Sequence, residues 1–363
     1  MNDDLQNELS AVRSEIDALD AQLLDFLNRR ARCAQKVGEI KARHGDAGFI
    51  YRPEREAQVL RRIQELNPGP LSSESVTWLF REIMSACLSL EQPLSVAFLG
   101  PLGSFTGSAA TKHFGHAARL LPQSSIDDVF REVEAGHAHY AVVPVENSTE
   151  GAVGRSMDLL FSTPLRICGE VVLRIHQNLM TREPALDRVT RVYSHAQSLA
   201  QCHEWLNRNL PNVPRISVGS NSQAAEMAMQ EAGAAAIAGQ AAAERFGVPI
   251  LVANIEDEPN NTTRFLVLGR HDAGLSGRDK TSLIMSAPNR TGSLHALLVP
   301  LAEAGVSMTR LESRPARHTL WDYVFFVDID GHRDEPKVAR ALAELQQRAA
   351  YLKVLGSYPA AVY

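Results

Sequence analysis

The sequence is poor in cysteine, in long hydrophobic runs and in excess positive charge. Its 363 residues include four cysteines, with neither a Cys-x-x-Cys pair nor the Cys/His spacing of a metal site. No hydrophobic run approaches the roughly 18 residues that a membrane-spanning helix needs, and the acidic start MNDDLQNEL lacks the apolar core of a signal peptide. We therefore expect a cytoplasmic protein with reduced thiols and without metal or membrane contact. The cysteines are Cys33, Cys87, Cys168 and Cys202.

The balance of charges and the composition exclude further classes of protein. Lysine and arginine number 37 against 42 acidic residues, a formal net charge of −5, so the basic surface typical of nucleic-acid-binding proteins is lacking. Hydrophobic residues make up 45% of the chain and charged residues 22%, which excludes a disordered or collagen-like protein. At about 100–200 residues per domain, the length predicts two or three domains. The pattern changes twice, and we divide the chain into residues 1–92, 93–272 and 281–363.

The first segment, residues 1–92, is predicted to be all-helical. Its hydrophobic residues recur at alternating steps of four and three, the heptad pattern of a coiled coil. A first helix of about 38 residues would extend about 57 Å, far beyond the radius of about 12 Å of a globule of about 90 residues. We therefore expect two copies of this helix to pack together in an intertwined homodimer; a single antiparallel bundle with a frayed helix is the alternative. The first hydrophobic positions are Leu5, Leu9, Val12, Ile16, Leu19, Leu23 and Phe26.

The other two segments have different patterns. Residues 93–272 alternate short β-rich runs with helical stretches, which predicts an α/β fold with ligands bound beyond the strand ends. Residues 281–363 follow the order strand, helix, strand, strand, helix, strand, which predicts a ferredoxin-like βαββαβ fold. The strands expected in the middle segment are Leu94–Leu99, Tyr140–Pro144, Gly169–Leu173, Arg191–Tyr193, Arg215–Val218, Ala235–Ala238 and Arg264–Leu268.

Cations interrupt the hydrophobic seam of the first helix. Arg30 occupies a position where the heptad calls for a hydrophobic residue, and a charge there needs a partner or an anionic ligand. Lys41 follows eleven residues later, about three helical turns, so both side chains point from one face. Arg13 lies about 260° around the helix from Arg30, so it can reach such a site only in a partner subunit. Polar residues that merely fix the register of a coiled coil are the alternative.

These residues lie in the stretches VRSEIDALDAQLLDFLNRRARCAQKVGEIK and RPERE, which resemble the all-helical chorismate mutase family across residues 1–92. The resemblance implies that Arg30 and Arg13 of the partner subunit bind the two carboxylates of chorismate. It also implies that Lys41 donates to the ether oxygen and that Glu56 holds the ring hydroxyl. Such a site restrains the reactive conformer and stabilises the charge of the transition state without a nucleophile.

Three positions depart from the pattern of the bacterial bifunctional members. Arg52, Cys87 and Glu91 stand where that pattern has Asp, Ser and Gln, and all three are expected to contact the substrate. A carboxylate at residue 91 would repel the ether oxygen, whereas a protonated acid would donate a hydrogen bond to it. We therefore expect Glu91 to act in its protonated form, so that mutase activity declines as the pH rises.

Four polar motifs in the middle segment lie at predicted strand ends. They are FLGPLGSFTGSAA at 98–110, VVPVENSTEGAVG at 142–154, YSHAQSL at 193–199 and NNTTRF at 260–265. Each alone is typical of a helix cap or a loop, but four together predict a convergent polar pocket. The free backbone N–H groups at the helix start of the first motif favour an anion.

The ENS, SHAQS and Thr263-Arg264-Phe265 motifs look like those of prephenate dehydratases, whose α/β domain is two-lobed and similar to periplasmic binding proteins. The resemblance implies loss of CO2 and hydroxide from prephenate, with Thr263 as hydrogen-bond donor at the ring hydroxyl. Glu146 and His195 are alternative proton sources, and Phe265 would keep the pocket apolar. The expected substrate contacts are Ser104, Thr106, Glu146, Asn147, Ser148, Ser194, His195, Gln197, Ser220, Arg264 and Phe265.

Two motifs of the last segment, GSLHALL at 292–298 and ESRP at 312–315, resemble those of the ACT regulatory domains attached to dehydratases. These domains bind phenylalanine at a dimer interface, so the resemblance implies feedback inhibition; a purely structural dimer domain is the alternative. The expected effector contacts are Gly292, Ser293, Leu294, His295, Glu312, Ser313, Arg314 and Pro315.

The sequence therefore predicts a cytoplasmic homodimer that converts chorismate to prephenate and prephenate to phenylpyruvate, with phenylalanine as effector. No metal or organic cofactor is expected, because neither reaction requires redox chemistry or an electron sink. Two alternatives stay open. In one, the chain is a dehydratase whose helical segment only dimerises. In the other, it is a non-catalytic sensor of small molecules.

Overall fold

The first segment forms three helices with one long arm. The computed structural model describes residues 2–44, 51–287, 290–315 and 323–362. The helices are α1 (Asn2–Arg43), α2 (Pro53–Leu66) and α3 (Ser73–Ser89). Proline suits the first turn of α2, where no N–H partner is needed, and the hydroxyl of Ser72 caps α3. In α1 the seam residues from Leu5 to Phe26 are 41–59% exposed, so the single chain leaves its hydrophobic seam uncovered.

The second segment folds into two α/β lobes. Its strands are β1 (Ser95–Leu99), β2 (Arg119–Gln123), β3 (Tyr140–Asn147), β4 (Gly151–Ala152), β5 (Arg166–Arg174), β6 (Asn178–Thr181), β7 (Arg191–Ser194), β8 (Arg215–Ser217), β9 (Ala234–Ala238), β10 (Ile250–Val252) and β11 (Thr262–Gly269). Its helices are α4 (Phe105–Phe114), α5 (Ile126–Glu134), α6 (Gly154–Ser162), α7 (Ala196–Gln201), α8 (His203–Asn209), α9 (Asn221–Gln230) and α10 (Gln240–Phe246). The first lobe has the strand order β2-β1-β3-β11-β5 with β4 beside β3, and the second has β10-β6-β9-β7-β8.

The chain passes between the lobes twice. One passage follows β5 and the other precedes β11, and the two passages are hydrogen-bonded to each other. The Ile175 N–H donates to the Asn261 carbonyl at 2.8 Å, and the Ile255 N–H donates to the Gln177 carbonyl at 2.7 Å. Since β3 and β11 of the first lobe end beside these passages, polar residues at their ends face the junction of the lobes.

The third segment has the expected βαββαβ order. Its elements are β12 (Asp279–Ser286), α11 (Ser293–Glu303), β13 (Met308–Pro315), β14 (Tyr323–Asp330), α12 (Pro336–Arg348) and β15 (Tyr351–Pro359). The antiparallel sheet has the order β13-β14-β12-β15. One face is covered by α11 and α12, while Phe326 and Tyr358 on the other face join the core of the first lobe. Gly356 permits this contact, because a Cβ there would lie 2.1 Å from the Ile167 carbonyl oxygen.

Candidate active sites

A cavity of about 430 Å³ lies between α1, α2 and α3. All the mutase site residues that were expected from one chain line this cavity. Arg13 does not line it, because it lies on exposed α1 seventeen residues from Arg30, about 25 Å along the helix. The expected residues that line the cavity are Arg30, Lys41, Arg52, Glu56, Cys87 and Glu91.

Lys41 and Glu91 form an ion pair across this cavity. The Lys41 Nζ atom of α1 lies 3.3 Å from Glu91 Oε1, just after α3. The close approach requires glycine at residue 38, because a Cβ there would lie 2.8 Å from Glu91 Cγ. Glu91 thus faces the ammonium group that the resemblance assigns to the ether oxygen, so a charged Glu91 competes with the substrate for Lys41.

Replacing Glu91 by glutamine is expected to flatten the decline of mutase kcat/KM with rising pH. Glutamine donates a hydrogen bond at every pH and carries no charge to pair with Lys41, so neither contact changes with the pH. The measurement is chorismate consumption between pH 6 and 9. Glu82→Gln is the matched control, since Glu82 lies on α3 and contacts His116. An unchanged slope in Glu91→Gln would contradict the assignment.

Glu56 is half-buried in the wall of the cavity between α2 and α3. Burial raises the pKa of its carboxyl group to about 7, although Arg81, whose Nε lies 3.5 Å from Oε1, opposes this. Next to it, the Tyr51 hydroxyl is 2.9 Å from His113 Nε2 of α4. Burial lowers the pKa of His113 to about 3, so its ring is neutral. The second segment therefore completes the wall of the helical cavity.

The raised pKa of Glu56 predicts a pH-dependent stability. A carboxyl group that titrates at about 7 in the folded protein and at 4.5 in the unfolded chain stabilises the fold below pH 4.5. This stabilisation is lost as the pH rises through 7, by up to about 3 kcal/mol. The apparent Tm, measured by circular dichroism at pH 5 and pH 8, is therefore expected to fall less in Glu56→Gln than in the wild type. Glu65→Gln, on an exposed part of α2, should behave like the wild type; an equal fall in all three proteins would contradict the prediction.

The second site is built on the paired ends of β3 and β11. Asn147 lies opposite Thr263 in the strand register, and its Nδ2 donates to Thr263 Oγ1 at 2.9 Å and to Asn261 Oδ1 at 2.8 Å. The Asn147 Oδ1 atom accepts from the N–H of Thr149 and is thereby fixed. Because Thr263 accepts from Asn147, its own proton points elsewhere and is available to a ligand. Ser148 joins the same turn to β11, since its hydroxyl accepts from the Thr262 N–H.

The second lobe contributes residues at the starts of α7 and α9. Ser194 donates to Asn221 Oδ1 at 2.9 Å and to the Ile237 carbonyl at 2.7 Å. His195 and Ser220 cap α7 and α9, while Gln197 is exposed at the first turn of α7. In the first lobe, Ser104 caps α4, and Thr106 is buried in its first turn. The starts of α4 and α9 are close together, because a Cβ at Gly103 would lie 3.1 Å from Ser222 Oγ.

The structure separates three expected residues from the Thr263 hydroxyl. Phe265 is 1% exposed and packs in the core of the first lobe. The Arg264 guanidinium contacts Glu170, Asp328 and Tyr358, and the Glu146 carboxylate contacts Arg310. The expected strand began at Arg264, with Thr263 in the loop before it. In the structure β11 already begins at Thr262, so alternation turns Arg264 to the face opposite Thr263.

The two motifs of the third segment occupy different places. Gly292 precedes α11 with a φ of +78°, a conformation that favours glycine. Ser293 and Leu294 are half-buried at the start of α11, and His295 is exposed. Of the ESRP motif, Glu312 and Arg314 are half-buried, whereas Ser313 and Pro315 are exposed on β13.

Arg314 turns toward the second segment. Its Nη2 atom lies 3.3 Å from Asp158 of α6. With Pro315, Phe161 and Phe326, the two residues line a cavity of about 280 Å³ between α6 and the strands β13 and β14. Residues 292–295 do not line this cavity.

Sequence reasoning missed several polar residues that hold the sites together. Asn221 accepts from Ser194 and from the His195 N–H, and Asn261 is 1% exposed beside Asn147. Asn221 follows Ser220, and Asn261 lies in the NNTTRF motif with Thr263. Membership of that motif is the signal by which Asn261 could have been found. Arg81 beside Glu56 had no such signal, because its position on α3 reads as an ordinary helical cation. Within the described ranges, no helix is long and apolar enough to cross a membrane.

Comparison with known proteins identifies all three segments. Residues 12–92 match the family model of chorismate mutase type II, residues 96–273 that of prephenate dehydratase, and residues 281–347 that of the ACT domain. A crystal structure of the prephenate dehydratase of Arthrobacter aurescens in complex with L-Phe superposes with a TM-score of 0.68 and 33% identity. That match covers 73% of this chain and 90% of the other.

Full-length relatives combine the three parts in one chain. A bifunctional chorismate mutase/prephenate dehydratase of Neisseria gonorrhoeae is 55% identical over 353 residues, which is 96% of each chain. The corresponding protein of Pseudomonas aeruginosa is 52% identical over 361 residues, covering 98% of this chain and 99% of its own. The chain therefore belongs to the family of bifunctional chorismate mutases/prephenate dehydratases.

Proposed function

We propose that this enzyme works through two separate active sites, one in the helical cavity and one at Thr263. Residues 1–92 form the mutase domain, residues 93–272 the dehydratase domain and residues 281–363 the ACT domain. The enzyme converts chorismate to prephenate and then prephenate to phenylpyruvate. The observation that carries the assignment of sites is the convergence of Arg30, Lys41 and Glu56 on one cavity, together with the Asn147–Thr263 hydrogen bond.

The mutase reaction follows from the charges of the cavity. Arg30 binds one carboxylate of chorismate, and the Lys41 ammonium donates to the ether oxygen as the C–O bond breaks. Glu56 contacts the ring hydroxyl. Binding of chorismate displaces the Glu91 carboxylate from Lys41, so that the ammonium group is free to donate to the ether oxygen. Fixed donors around a restrained conformer lower the barrier of this unimolecular rearrangement.

The dehydratase reaction needs a donor at the ring hydroxyl. As the bond to the carboxylate breaks, its electron pair enters the ring and CO2 leaves. The ring hydroxyl takes one proton through the Thr263 hydroxyl and leaves as water, and Thr263 regains a proton from solvent. Thr263 donates to that hydroxyl because Asn147 occupies its acceptor side. Ser194, Gln197 and His195 at the start of α7 face the substrate from the second lobe, and helix starts there favour its carboxylates. Neither step needs a metal or an organic cofactor.

Two copies of the chain complete the mutase site. The exposed seam of α1 leaves hydrophobic side chains in water unless a second α1 covers them. In an intertwined homodimer, Arg13 of the partner subunit reaches the cavity that holds Arg30 and supplies the second carboxylate contact. A closed two-fold pairing of this kind buries the same surface on both subunits.

The ACT domain makes phenylalanine the effector, and the enzyme resides in the cytoplasm. The relative crystallised with L-Phe supports the effector, and the four free cysteines support a reducing compartment. Phenylalanine inhibits by favouring a less active arrangement of the subunits.

One assay tests the proposal against its alternatives. The purified chain is supplied first with chorismate and then with prephenate, and phenylpyruvate is measured by its absorbance. Product from both substrates is expected. Product from prephenate alone would show that the helical domain only dimerises, and no product from either would show a non-catalytic sensor.

A further inference from the structure

Two charged residues stand directly behind the Asn147–Thr263 pair. In the register of β3 and β11, the pair next to Asn147 and Thr263 is Glu146 opposite Arg264. Side chains alternate along a strand, so Glu146 and Arg264 project from the opposite face of the sheet. Each charged residue is bonded through the backbone to one member of the Asn147–Thr263 pair. A displacement of Glu146 or Arg264 therefore also moves the backbone of Asn147 or Thr263.

The ACT domain presents a complementary pair of charges to this face. Arg310 of β13 lies opposite Asp328 of β14 in the strand register. Arg310 Nε is 2.9 Å from Glu146 Oε2, and Arg264 Nη1 is 2.5 Å from Asp328 Oδ2. The Arg310–Asp328 pair of the ACT domain thus contacts the Glu146–Arg264 pair, with each cation against a carboxylate. We call these four residues, Glu146, Arg264, Arg310 and Asp328, the interdomain charge quartet.

Three members of the interdomain charge quartet are largely shielded from water, while the Glu146 side chain is 38% exposed. The side chains of Arg264, Arg310 and Asp328 are 14%, 12% and 7% exposed. Arg264 is held from behind by buried Glu170, whose Oε2 lies 2.9 Å from its Nε. Removing one partner of such a pair leaves a poorly solvated charge, which is strongly unfavourable. The contact between the two domains therefore favours one relative position of β3 and β11 against β13 and β14.

We propose that Arg310 and Asp328 are positioning residues for the dehydratase reaction, which act on Asn147 and Thr263 through Glu146 and Arg264. They also link the effector to the reaction, because β13 carries the ESRP motif two residues after Arg310. Movement of β13 on binding of phenylalanine displaces Glu146, and misplacement of a catalytic group by about 1 Å costs about 10²-fold in rate. The second part of this inference rests on the proposed role of phenylalanine.

The test uses Arg310→Gln and Asp328→Asn in the full-length enzyme. Dehydratase kcat is expected to fall about tenfold with KM changed less than about twofold, since positioning of Thr263 acts on the transition state. Saturating phenylalanine is expected to inhibit the variants less than about twofold, while its dissociation constant, measured by calorimetry, stays within about threefold of the wild-type value. Arg310→Lys keeps the charge but not the geometry of the guanidinium group, so it is expected to restore kcat in part.

The controls separate positioning from loss of structure. Arg333→Gln removes another ion pair between the domains, Arg333 to Asp272 at 2.9 Å, outside β3 and β11; wild-type kcat and inhibition are expected. Normal mutase activity shows that a variant is folded. If Arg310→Gln does not fold, the result for Asp328→Asn tests the proposal. Wild-type kcat and inhibition in the quartet variants, or equal losses in Arg333→Gln, would overturn the proposal. If phenylalanine does not inhibit the wild type, the effector role fails, and kcat alone decides the positioning role.

Discussion

Thr263→Val is expected to abolish phenylpyruvate formation while chorismate is still converted to prephenate. Valine keeps the shape of threonine but removes the hydroxyl that accepts from Asn147 and donates to the leaving group. General acids contribute about 10²–10⁴-fold, so dehydratase kcat should fall by about 10³-fold. The β11 strand is unchanged by this substitution because valine also favours strands. The measurement is the rate of phenylpyruvate formation from prephenate at saturation.

The chain supplies a matched control at the neighbouring position. Thr262 lies one residue earlier in β11, and its hydroxyl donates to the Asn260 carbonyl at 3.0 Å, away from Asn147. Thr262→Val makes the same chemical change on the other face of the strand and is expected to keep kcat within about threefold. Mutase activity should be normal in both variants. Dehydration that survives within a few fold in Thr263→Val would remove this residue from the mechanism.

Most helices and strands of this fold were predictable, but four strands of the middle segment, β2, β4, β6 and β10, were not. Heptad spacing indicates α1 and α3, the proline at residue 53 indicates the start of α2, and every strand expected in the middle segment is present. Of the four unexpected strands, β2 and β10 lie at sheet edges, β4 pairs only with β3, and β6 lies inside the second sheet. The edge strand β2 contains Pro122. Edge strands take their conformation from pairing with one neighbour more than from their own hydrophobic pattern. Such strands are therefore weakly encoded in the local sequence.

The same distinction explains which site residues could be found. Arg30 and Lys41 share a helix, and a helical period of 3.6 fixes their common face without knowledge of the tertiary structure. Strand residues depend on where the strand begins, and because β11 begins at Thr262, Thr263 and Arg264 are consecutive strand residues whose side chains point to opposite faces. The contact of Arg264 with Asp328 joins residues far apart in sequence. No local pattern in the sequence could indicate it.

Arg30→Ala is expected to lower mutase kcat/KM by about 10³-fold and to leave the dehydratase unchanged. Removing one partner of a buried charge pair costs about 3–5 kcal/mol, and each 1.4 kcal/mol is about tenfold. Arg29→Ala is the matched control, because Arg29 is the adjacent residue, is 63% exposed and pairs only weakly with Asp25 at 3.7 Å. Chorismate consumption at low substrate concentration measures the effect. A loss below about tenfold would place Arg30 outside the carboxylate contact.

Mixing two inactive variants tests the shared site directly. In a heterodimer of Arg13→Ala with Arg30→Ala, one cavity has both arginines and the other has neither, if each cavity takes Arg13 from the partner subunit. After random exchange of subunits, half of the dimers are heterodimers, and mutase activity should return to about a quarter of the wild-type value. Sites built within one chain would regain nothing on mixing, because every cavity would still lack one arginine. Subunit exchange is confirmed separately with differently tagged chains, so that an absence of recovery counts against the intertwined dimer.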